Sequence, residues 1–484
     1  MCGIIGLRLK GDKPNAAELA LGLLFRLQHR GQDGAGISVL GKDRQLHSVR
    51  GLGLVHTALS DWASLPPSEV AVAHTRYATT GTGGIGEIQP FVKGAPRIAL
   101  AHNGNIVNTE ELKEKYQLQV TSESDLDVIQ QILLQHWHRG EDGFVNAVKR
   151  IYDEFNGAYA VVGLEDDGTL FAFRDPFGIR PLFIGENDDV VVVSSETCVL
   201  ASFPKMKIEE IPPASWVRIS KNGVVQGQIK NQSNPDDKKR FCMFEVVYFS
   251  SPQSEVNQHS VYRQRFQLGV ELARQIQAEI APSRTVTESF DYVVPVPETS
   301  RTAAIAVAEV LGVPYREFLV KNPYVPRTFI LASQGDRLKA LSTKLNLIGP
   351  EIKDRKILLV DDSVVRGNTS RLMCERLREA GAKEVSLAST CPPIRFGCFY
   401  GIDFPDPEEL VAHHREIPDI AQAIGVKNLF YLDSAGLKRA LGTEELCMAC
   451  LDGKYPTYNP SFEDFLSKRR RERVDKWSSS AKVQ

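Results

Sequence analysis

The 484-residue sequence lacks any long apolar run, and no stretch approaches the ~20 residues that a membrane-spanning helix needs. It also lacks an excess of either charge, since 58 Lys and Arg residues against 60 Asp and Glu residues leave a net charge of -2. No global field therefore favours nucleic acid or an anionic membrane surface. We expect neither as a partner, and anionic ligands would have to be bound by local clusters of donors.

Cysteine is scarce, with eight residues in the chain. The first residues carry neither the basic segment nor the cleavage pattern of a secretory signal. So few cysteines without such a signal predict reduced thiols or metal ligands rather than a disulfide framework. The sequence therefore predicts a cytoplasmic protein.

The length predicts two or three domains. Residues 2–230 contain short β runs and two amphipathic segments, at about 16–28 and 124–137, a pattern typical of a layered α+β domain. Residues 231–240 are polar and predict a linker. In residues 241–470 strands alternate with helices, at about 300–311 and 369–381, which predicts an α/β domain with a doubly wound, mainly parallel sheet. Residues 471–484 are predicted to be a flexible tail.

Cys2 is the first candidate for chemistry, because it follows Met1 directly and precedes a glycine. Removal of Met1 would leave Cys2 with both a thiol and a free α-amine. Such a residue can act as nucleophile and general base at once. The α-amine titrates near pH ~8, so part of it is neutral in the cell. A cysteine at position 2 is weak evidence by itself.

Further polar and glycine-containing blocks follow in a fixed order, at residues 29–36, 74–81, 101–105, 123–125 and 173–182. Together with Cys2 they resemble the class II glutamine amidotransferases, whose glutaminase is an N-terminal-nucleophile fold of α/β/β/α layers. The resemblance implies that Cys2 attacks the side-chain amide of glutamine. It also implies that Asn103 and the Gly104 backbone N–H form an oxyanion hole, and that Arg76 and Asp125 bind the carboxylate and ammonium of glutamine.

Other polar residues in these blocks have structural interpretations. We expect Arg174 and Arg180 to support packing and turns, and His29 and His102 to form structural hydrogen bonds. Arg30 remains open between positioning a loop and contacting the substrate.

A second candidate site follows an apolar strand predicted at residues 356–360. This strand leads into Asp361 and Asp362, and a short loop with glycine and hydroxyl groups then opens a helix. Backbone N–H groups and hydroxyls at a helix start suit a phosphate. Acids at the tip of a strand can bind ribose hydroxyls or Mg²⁺. The loop lacks the Gly-Lys-Ser/Thr ending of a Walker A sequence.

This segment resembles the phosphoribosyltransferase fingerprint, and residues 295–300 and 321–330 resemble two further blocks of the amidophosphoribosyltransferases. The resemblance implies Mg²⁺ at Thr299, Asp361 and Asp362. Lys321 and Arg327 are candidates for binding the departing pyrophosphate. The residues implied in binding phosphoribosyl pyrophosphate around its 5′-phosphate are Asp361, Asp362, Ser363, Arg366, Gly367, Asn368, Thr369 and Ser370.

The sequence departs from the family in the 321–330 loop. Pro323 stands where the family has an arginine, and Pro326 stands where it has a glycine. One cation is lost and two φ angles are fixed. An alternative function is therefore a catalytically altered paralogue that binds phosphoribosyl pyrophosphate or nucleotides in a regulatory role. A glutaminase with another acceptor is a second rival, which the 357–370 segment disfavours.

Four cysteines form a third pattern, with Cys447 and Cys450 in a Cys-x-x-Cys pair and Cys242 and Cys398 distant in sequence. By themselves they leave zinc, an iron–sulfur cluster or chance open. The same four contexts occur in the iron–sulfur branch of the amidophosphoribosyltransferases. That resemblance implies a structural [4Fe–4S] cluster.

The resemblance to the amidophosphoribosyltransferase family covers residues 2–460. It implies glutamine-dependent amidation of phosphoribosyl pyrophosphate to 5-phosphoribosylamine, glutamate and pyrophosphate, the first step of purine (IMP) synthesis. It also implies inhibition by purine nucleotides and a homotetramer or homodimer. Because ammonia is largely protonated near neutral pH, it would have to pass internally between the two sites. Glutamine hydrolysis should then depend on the second substrate.

Overall fold

A computed structural model describes residues 1–11, 14–77, 84–138, 140–230, 238–281, 285–322, 345–404, 406–457 and 466–467. Arg327, Pro323 and Pro326 lie outside the described residues, as do residues 231–237 of the predicted linker and the predicted tail. Among the helices that are described, none is both long enough and apolar enough to cross a lipid bilayer.

The first half of the chain contains thirteen strands and six α-helices in its described residues. The helices are α1 (Ala16–Arg26), α2 (Val55–Ala58), α3 (Thr109–Tyr116), α4 (Asp125–Gln135), α5 (Glu141–Glu154) and α6 (Thr197–Leu200). The strands are β1 (Gly3–Leu9), β2 (Gly34–Leu40), β3 (Leu46–Leu52), β4 (Val70–Arg76), β5 (Phe91–Lys93), β6 (Ile98–Ile106), β7 (Gly157–Glu165), β8 (Leu170–Arg174), β9 (Phe183–Glu186), β10 (Val190–Ser194), β11 (Lys207–Glu210), β12 (Ser215–Ser220) and β13 (Gly223–Gln228).

These strands form two antiparallel sheets. One has the order β11-β9-β10-β1-β4-β2-β3 and the other β13-β12-β8-β7-β6-β5. Successive side chains of a strand point to opposite faces, so a central strand can bury residues on both sides of its sheet. In β1, Ile4 lies in the core between the sheets, whereas its neighbour Ile5 packs with Leu24 of α1. Helices α4 and α5 cover the outer face of the second sheet. The predicted α/β/β/α layering is confirmed.

The second half contains ten strands and eight α-helices in its described residues, together with a π-helical segment at Glu245–Phe249. The helices are α7 (Val261–Ile280), α8 (Val286–Ser289), α9 (Arg301–Leu311), α10 (Gly349–Ile352), α11 (Asn368–Glu379), α12 (Ile417–Ile424), α13 (Ser434–Leu441) and α14 (Ala449–Asp452). The strands are β14 (Phe241–Cys242), β15 (Glu255–Val256), β16 (His259–Ser260), β17 (Tyr292–Pro295), β18 (Leu319–Lys321), β19 (Leu345–Leu347), β20 (Lys356–Asp361), β21 (Glu384–Ser389), β22 (Leu429–Tyr431) and β23 (Leu446–Cys447).

The main sheet of this half is parallel, with the order β17-β20-β21-β22. A parallel bridge between Val293 and Tyr315 adds a short segment on the other side of β17. The spatial order is then 2-1-3-4-5, and the order reverses between β17 and β20. Helices α7 and α9 pack on one face, and α11 and α12 on the other. The predicted α/β fold with a parallel sheet is confirmed, and ligands of such sheets bind at this point of reversal.

Candidate functional site

Cys2 lies immediately before β1 and reaches across to β6 of the facing sheet. Its backbone nitrogen donates to Asn103 Oδ1 at 3.2 Å, and its Sγ lies 3.8 Å from the carbonyl oxygen of Tyr77. Met1 precedes it and is buried, with 1% of its surface exposed. The Cys2 nitrogen is therefore a peptide nitrogen in this structure, at the position that its α-amine would occupy after removal of Met1.

Asn103 presents an unused donor beside this thiol. The residue is 1% exposed, its Oδ1 is engaged by Cys2, and its Nδ2 has no hydrogen-bond partner. Leaving a buried donor unpaired costs about 1–3 kcal/mol, so such a group marks a place where a ligand can bind. The next residue, Gly104, has φ +154°, and a Cβ there would lie 2.0 Å from the Ala158 carbonyl oxygen. Only glycine fits this position.

Arg76 and Asp125 lie on elements that adjoin the same thiol. Arg76 ends β4 directly before Tyr77 and forms a buried ion pair with Glu87. Asp125 begins α4, accepts a hydrogen bond from the Ile106 amide at 3.0 Å and lies 3.2 Å from His102 Nε2. Burial disfavours the charged form, but His102 and the backbone amides of Ile106 and Leu126 outweigh it and lower the pKa of Asp125. In this structure both groups already have partners, Glu87 for Arg76 and His102 for Asp125.

Arg30 connects the nucleophile to both halves of the chain. Its Nε donates to the Cys2 carbonyl oxygen at 2.9 Å, its Nη1 to Glu196 at 2.6 Å and its Nη2 to Glu245 at 2.9 Å. Burial opposes its charge, but Glu245 and Glu196 outweigh burial and raise the pKa of Arg30. Of the two interpretations left open for Arg30, these contacts favour positioning.

Asp361 and Asp362 lie at the carboxyl end of β20, where the strand order reverses. Burial and the neighbouring Asp362 raise the pKa of Asp361 well above its ordinary value. Burial also raises the pKa of Asp362 to about 6, although Ser363 and Arg265 act in the opposite direction. The amide of Val296 donates to the Val360 carbonyl at 2.8 Å. The loop after β17, which contains Thr299, therefore starts beside the acidic pair.

The loop from Ser363 to Gly367 leads into α11. Gly367 has φ +76° and no side chain caps the helix start, so amides of the first turn remain available for an anion. Ser363 donates to Asp362 Oδ1 at 2.7 Å, and Arg366 Nε donates to Glu409 at 3.0 Å. Of the other residues predicted here, Asn368 and Thr369 are exposed and Ser370 is buried.

Lys321 ends β18, which pairs with β19, the strand that follows the 321–330 loop in the chain. Arg376 of α11 donates to the Leu345 carbonyl at 2.6 Å and so attaches this hairpin to the helix. The structure thus places the strand of Lys321 against the helix that begins at the phosphate loop. The predicted partner Arg327 lies outside the described residues.

The four cysteines of the third pattern come together in the second half. Cys242 and Cys447 are directly opposite each other in the parallel pair β14 and β23. The pKa of Cys450 is raised by burial first and by Cys398, Cys242 and Cys447 among its neighbours. Arg180 of the first half is buried beside them, and its Nε and Nη2 have no hydrogen-bond partner. Within the described ranges, no three His, Cys, Asp or Glu side chains converge on a single metal ion.

Sequence reasoning missed several residues that organise the sites. Glu196 and Glu245 bind Arg30, and Thr390 donates from its amide to the Asp361 carbonyl at 3.1 Å. Glu245 gave a usable signal, because it is the one charged residue in the apolar run 241–249. A charge in such a run indicates a buried ion pair. Thr390 gave no comparable signal.

Known proteins provide an independent comparison. A family model described as a glutamine amidotransferase domain matches residues 74–202, and one described as a phosphoribosyl transferase domain matches residues 261–395. The chain is 36% identical over 485 residues to an amidophosphoribosyltransferase of Methanocaldococcus jannaschii, covering 97% of this chain and 100% of that protein. It is 38% identical over 450 residues to the Saccharomyces cerevisiae amidophosphoribosyltransferase, covering 89% and 87%.

Solved structures give the same result. A glutamine phosphoribosylpyrophosphate amidotransferase from B. subtilis, complexed with ADP and GMP, superposes with a TM-score of 0.82 at 34% identity. The match covers 94% of this chain and 98% of that one. A structure described as the allosteric regulatory enzyme of purine biosynthesis has a TM-score of 0.83 at 33% identity, covering 95% and 97%. The likeness therefore extends over both halves and both candidate sites.

Proposed function

The chain belongs to the amidophosphoribosyltransferase family, and from this membership we propose how its residues move the amide nitrogen of glutamine to phosphoribosyl pyrophosphate. The products are 5-phosphoribosylamine, glutamate and pyrophosphate, and the reaction is the first step of purine synthesis. The observation that carries the residue assignment is the unpaired Asn103 amide beside the Cys2 thiol.

In the first reaction the Cys2 sulfur attacks the amide carbon of glutamine. Its proton passes to the α-amine freed by loss of Met1 and then leaves with the amide nitrogen as ammonia. Water cleaves the remaining glutamyl thioester to glutamate. Asn103 Nδ2 and the Gly104 N–H stabilise the oxyanion, where one donor is worth about 10²–10³ in rate. Arg76 and Asp125 hold the carboxylate and ammonium of the free amino acid.

In the second reaction ammonia attacks C1 of the ribose and pyrophosphate leaves. The amides and hydroxyls of residues 363–370 hold the 5′-phosphate, and Lys321 and Arg327 bind the pyrophosphate. We propose that Thr299, Asp361 and Asp362 hold Mg²⁺. The acidic pair fits this cation, because two buried neighbouring carboxylates with raised pKa values gain most from a positive charge. Mg²⁺ supplies charge neutralisation of the leaving group.

We propose that Cys242, Cys398, Cys447 and Cys450 hold a [4Fe–4S] cluster with a structural role. The four interacting thiols and the buried cation of Arg180 fit an anionic cluster bound by thiolates. A single zinc ion would need the sulfurs within roughly 4 Å of one another, as its Zn–S bonds are ~2.3 Å. The assignment to the larger cluster rests on the likeness of all four cysteine contexts to the iron–sulfur branch of the family.

The remaining assignments are proposals from the same family likeness. We assign residues 2–230 to the glutaminase domain, 231–240 to a linker, 241–470 to the phosphoribosyltransferase domain and 471–484 to a tail. The B. subtilis relative was solved with ADP and GMP, which supports inhibition of this chain by purine nucleotides. A cytoplasmic location and a homotetramer or homodimer complete the proposal.

The test is glutamate release from glutamine by anaerobically purified protein whose Met1 is shown to be absent. Adding phosphoribosyl pyrophosphate and Mg²⁺ should raise glutamate release and form pyrophosphate in step. Cys2→Ala should abolish the reaction with glutamine and keep the reaction with ammonium at alkaline pH. Binding of phosphoribosyl pyrophosphate without pyrophosphate formation from either nitrogen source would instead support the regulatory paralogue.

A further inference from the structure

The strand that carries the oxyanion residues is in contact with the second half of the chain. Asn105, the residue after Gly104, donates from Nδ2 to the Phe399 carbonyl oxygen at 2.8 Å and is 4% exposed. Two residues further on, a Cβ at Gly401 would lie 2.9 Å from the Gly104 carbonyl oxygen and 3.0 Å from its carbonyl carbon. Residues 399–401 therefore adjoin both the Gly104 carbonyl and the Asn105 side chain.

Gly104 depends on its neighbours for its conformation, because it has no side chain to restrict its backbone. With φ at +154°, it occupies a region that residues with a Cβ rarely enter, and glycine itself rotates between several regions at low cost. Strand β7 borders it on one side, where the Ala158 carbonyl leaves no space for a Cβ. Residues 399–401 border it on the other side. Gly104 is therefore bordered by backbone on two sides.

We propose that Asn105 is a positioning residue for glutamine hydrolysis. Its hydrogen bond to Phe399 and the close approach of Gly401 hold the Gly104 N–H in the direction that an oxyanion requires. This inference rests on the oxyanion role proposed above for Asn103 and Gly104. The glutaminase centre is then completed by a segment of the phosphoribosyltransferase half, although that segment contributes no group to the chemistry.

The first experiment compares Asn105→Ala with the unsubstituted full-length enzyme. We expect kcat for glutamate release to fall about 10- to 100-fold, as for a misplaced catalytic group. The KM for glutamine should stay nearly constant, because the missing orientation matters only when the oxyanion forms. Pyrophosphate release with ammonium should be unchanged, since it needs no oxyanion hole. A purely structural residue would lower both reactions together.

A steric pair provides a matched test from the other side of the contact. Gly401→Ala places a Cβ against the Gly104 carbonyl at a backbone φ of +95°. Gly312→Ala also places an alanine at a positive φ, +66°, but its Cβ would meet no atom within 4 Å, and Gly312 lies at the end of α9 in the second half of the chain. We expect Gly401→Ala to lower kcat with glutamine but not with ammonium, and Gly312→Ala to lower neither.

A pH profile adds a readout of the hydrogen bond itself. In Asn105→Asp an ionised carboxylate cannot donate to the Phe399 carbonyl, whereas the protonated acid can. The ratio of its kcat to that of the unsubstituted enzyme should rise as the pH is lowered. An Asn105→Ala enzyme with parental kcat, or a parallel loss with glutamine and ammonium, overturns the inference. Full glutaminase activity of Asn103→Ala instead removes the oxyanion assignment beneath it.

Discussion

Replacing Asp362 by asparagine should stabilise the unliganded protein while it removes phosphoribosyl chemistry. Asp362 is 8% exposed, and burial raises the pKa of its carboxyl to about 6. In the unfolded chain it titrates near ~3.9. The neutral acid is therefore favoured in the fold, and its stabilising contribution is lost as the pH rises through about 6. Above that pH the ionised carboxylate costs the fold up to about 3 kcal/mol, which asparagine avoids.

The gain should therefore depend on pH in a defined direction. We expect Asp362→Asn to raise the free energy of unfolding by about 3 kcal/mol at pH 8. At pH 5 the increase should be about half as large, because Asp362 is mostly protonated in the folded protein but not in the unfolded chain. For a domain of ~150–250 residues, about the size of each half of this chain, a change of 1 kcal/mol in the free energy of unfolding shifts the thermal midpoint by about 2–4 °C. Differential scanning calorimetry at both pH values measures the shift, with the exposed Asp188→Asn as control.

Two outcomes would refute this reasoning. A variant no more stable than the parent at pH 8 would show that the carboxylate is not under strain from burial. A gain of equal size at pH 5 and pH 8 would show that packing, rather than charge, is responsible. Addition of Mg²⁺ and phosphoribosyl pyrophosphate should raise the midpoint of the parent only, because the variant has lost a ligand for them.

Three further predictions test other parts of the structure. Asn103→Ala should lower kcat for glutamate release about 10²–10³-fold and spare the reaction with ammonium, and equal loss of both would contradict its role as an oxyanion donor. Glu245→Ala removes a partner of the fully buried Arg30 and should cost about 3–5 kcal/mol, seen as a lower thermal midpoint; an unchanged midpoint would mean that Glu196 alone compensates the charge. Cys447→Ser should reduce bound iron and acid-labile sulfide in chemical assays, and parental iron content would exclude it as a cluster ligand.

Local sequence patterns predicted the elements that carry the sites. The helix predicted at 16–28 is observed at Ala16–Arg26, and the strand predicted at 356–360 is observed at Lys356–Asp361. The acidic pair was expected at the tip of a strand and lies at the end of β20. These predictions succeeded because periodicity and turn residues act over a few positions.

Contacts between distant parts of the chain could not be predicted in this way. Arg30 binds Glu196 and Glu245, which lie 166 and 215 residues away, and no local pattern encodes such pairs. The close approach of Gly401 to Gly104 could not be predicted from the sequence either, because a glycine has no side chain that would indicate its partner. The candidate site residues were predicted from short motifs, whereas the groups that contact them were found only in the fold.

The bond between Asn105 and Phe399 joins residues 294 positions apart, and this separation has a consequence during synthesis. A ribosome adds ~5–20 residues per second, so Phe399 is made roughly 15–60 s after Asn105. During that interval the first half can fold, but strand β6, which carries Asn103 and Gly104, lacks its contact with residues 399–401. If Asn105 positions the Gly104 N–H as proposed, a nascent chain should hydrolyse glutamine about 10- to 100-fold more slowly until the half that consumes the ammonia has been made.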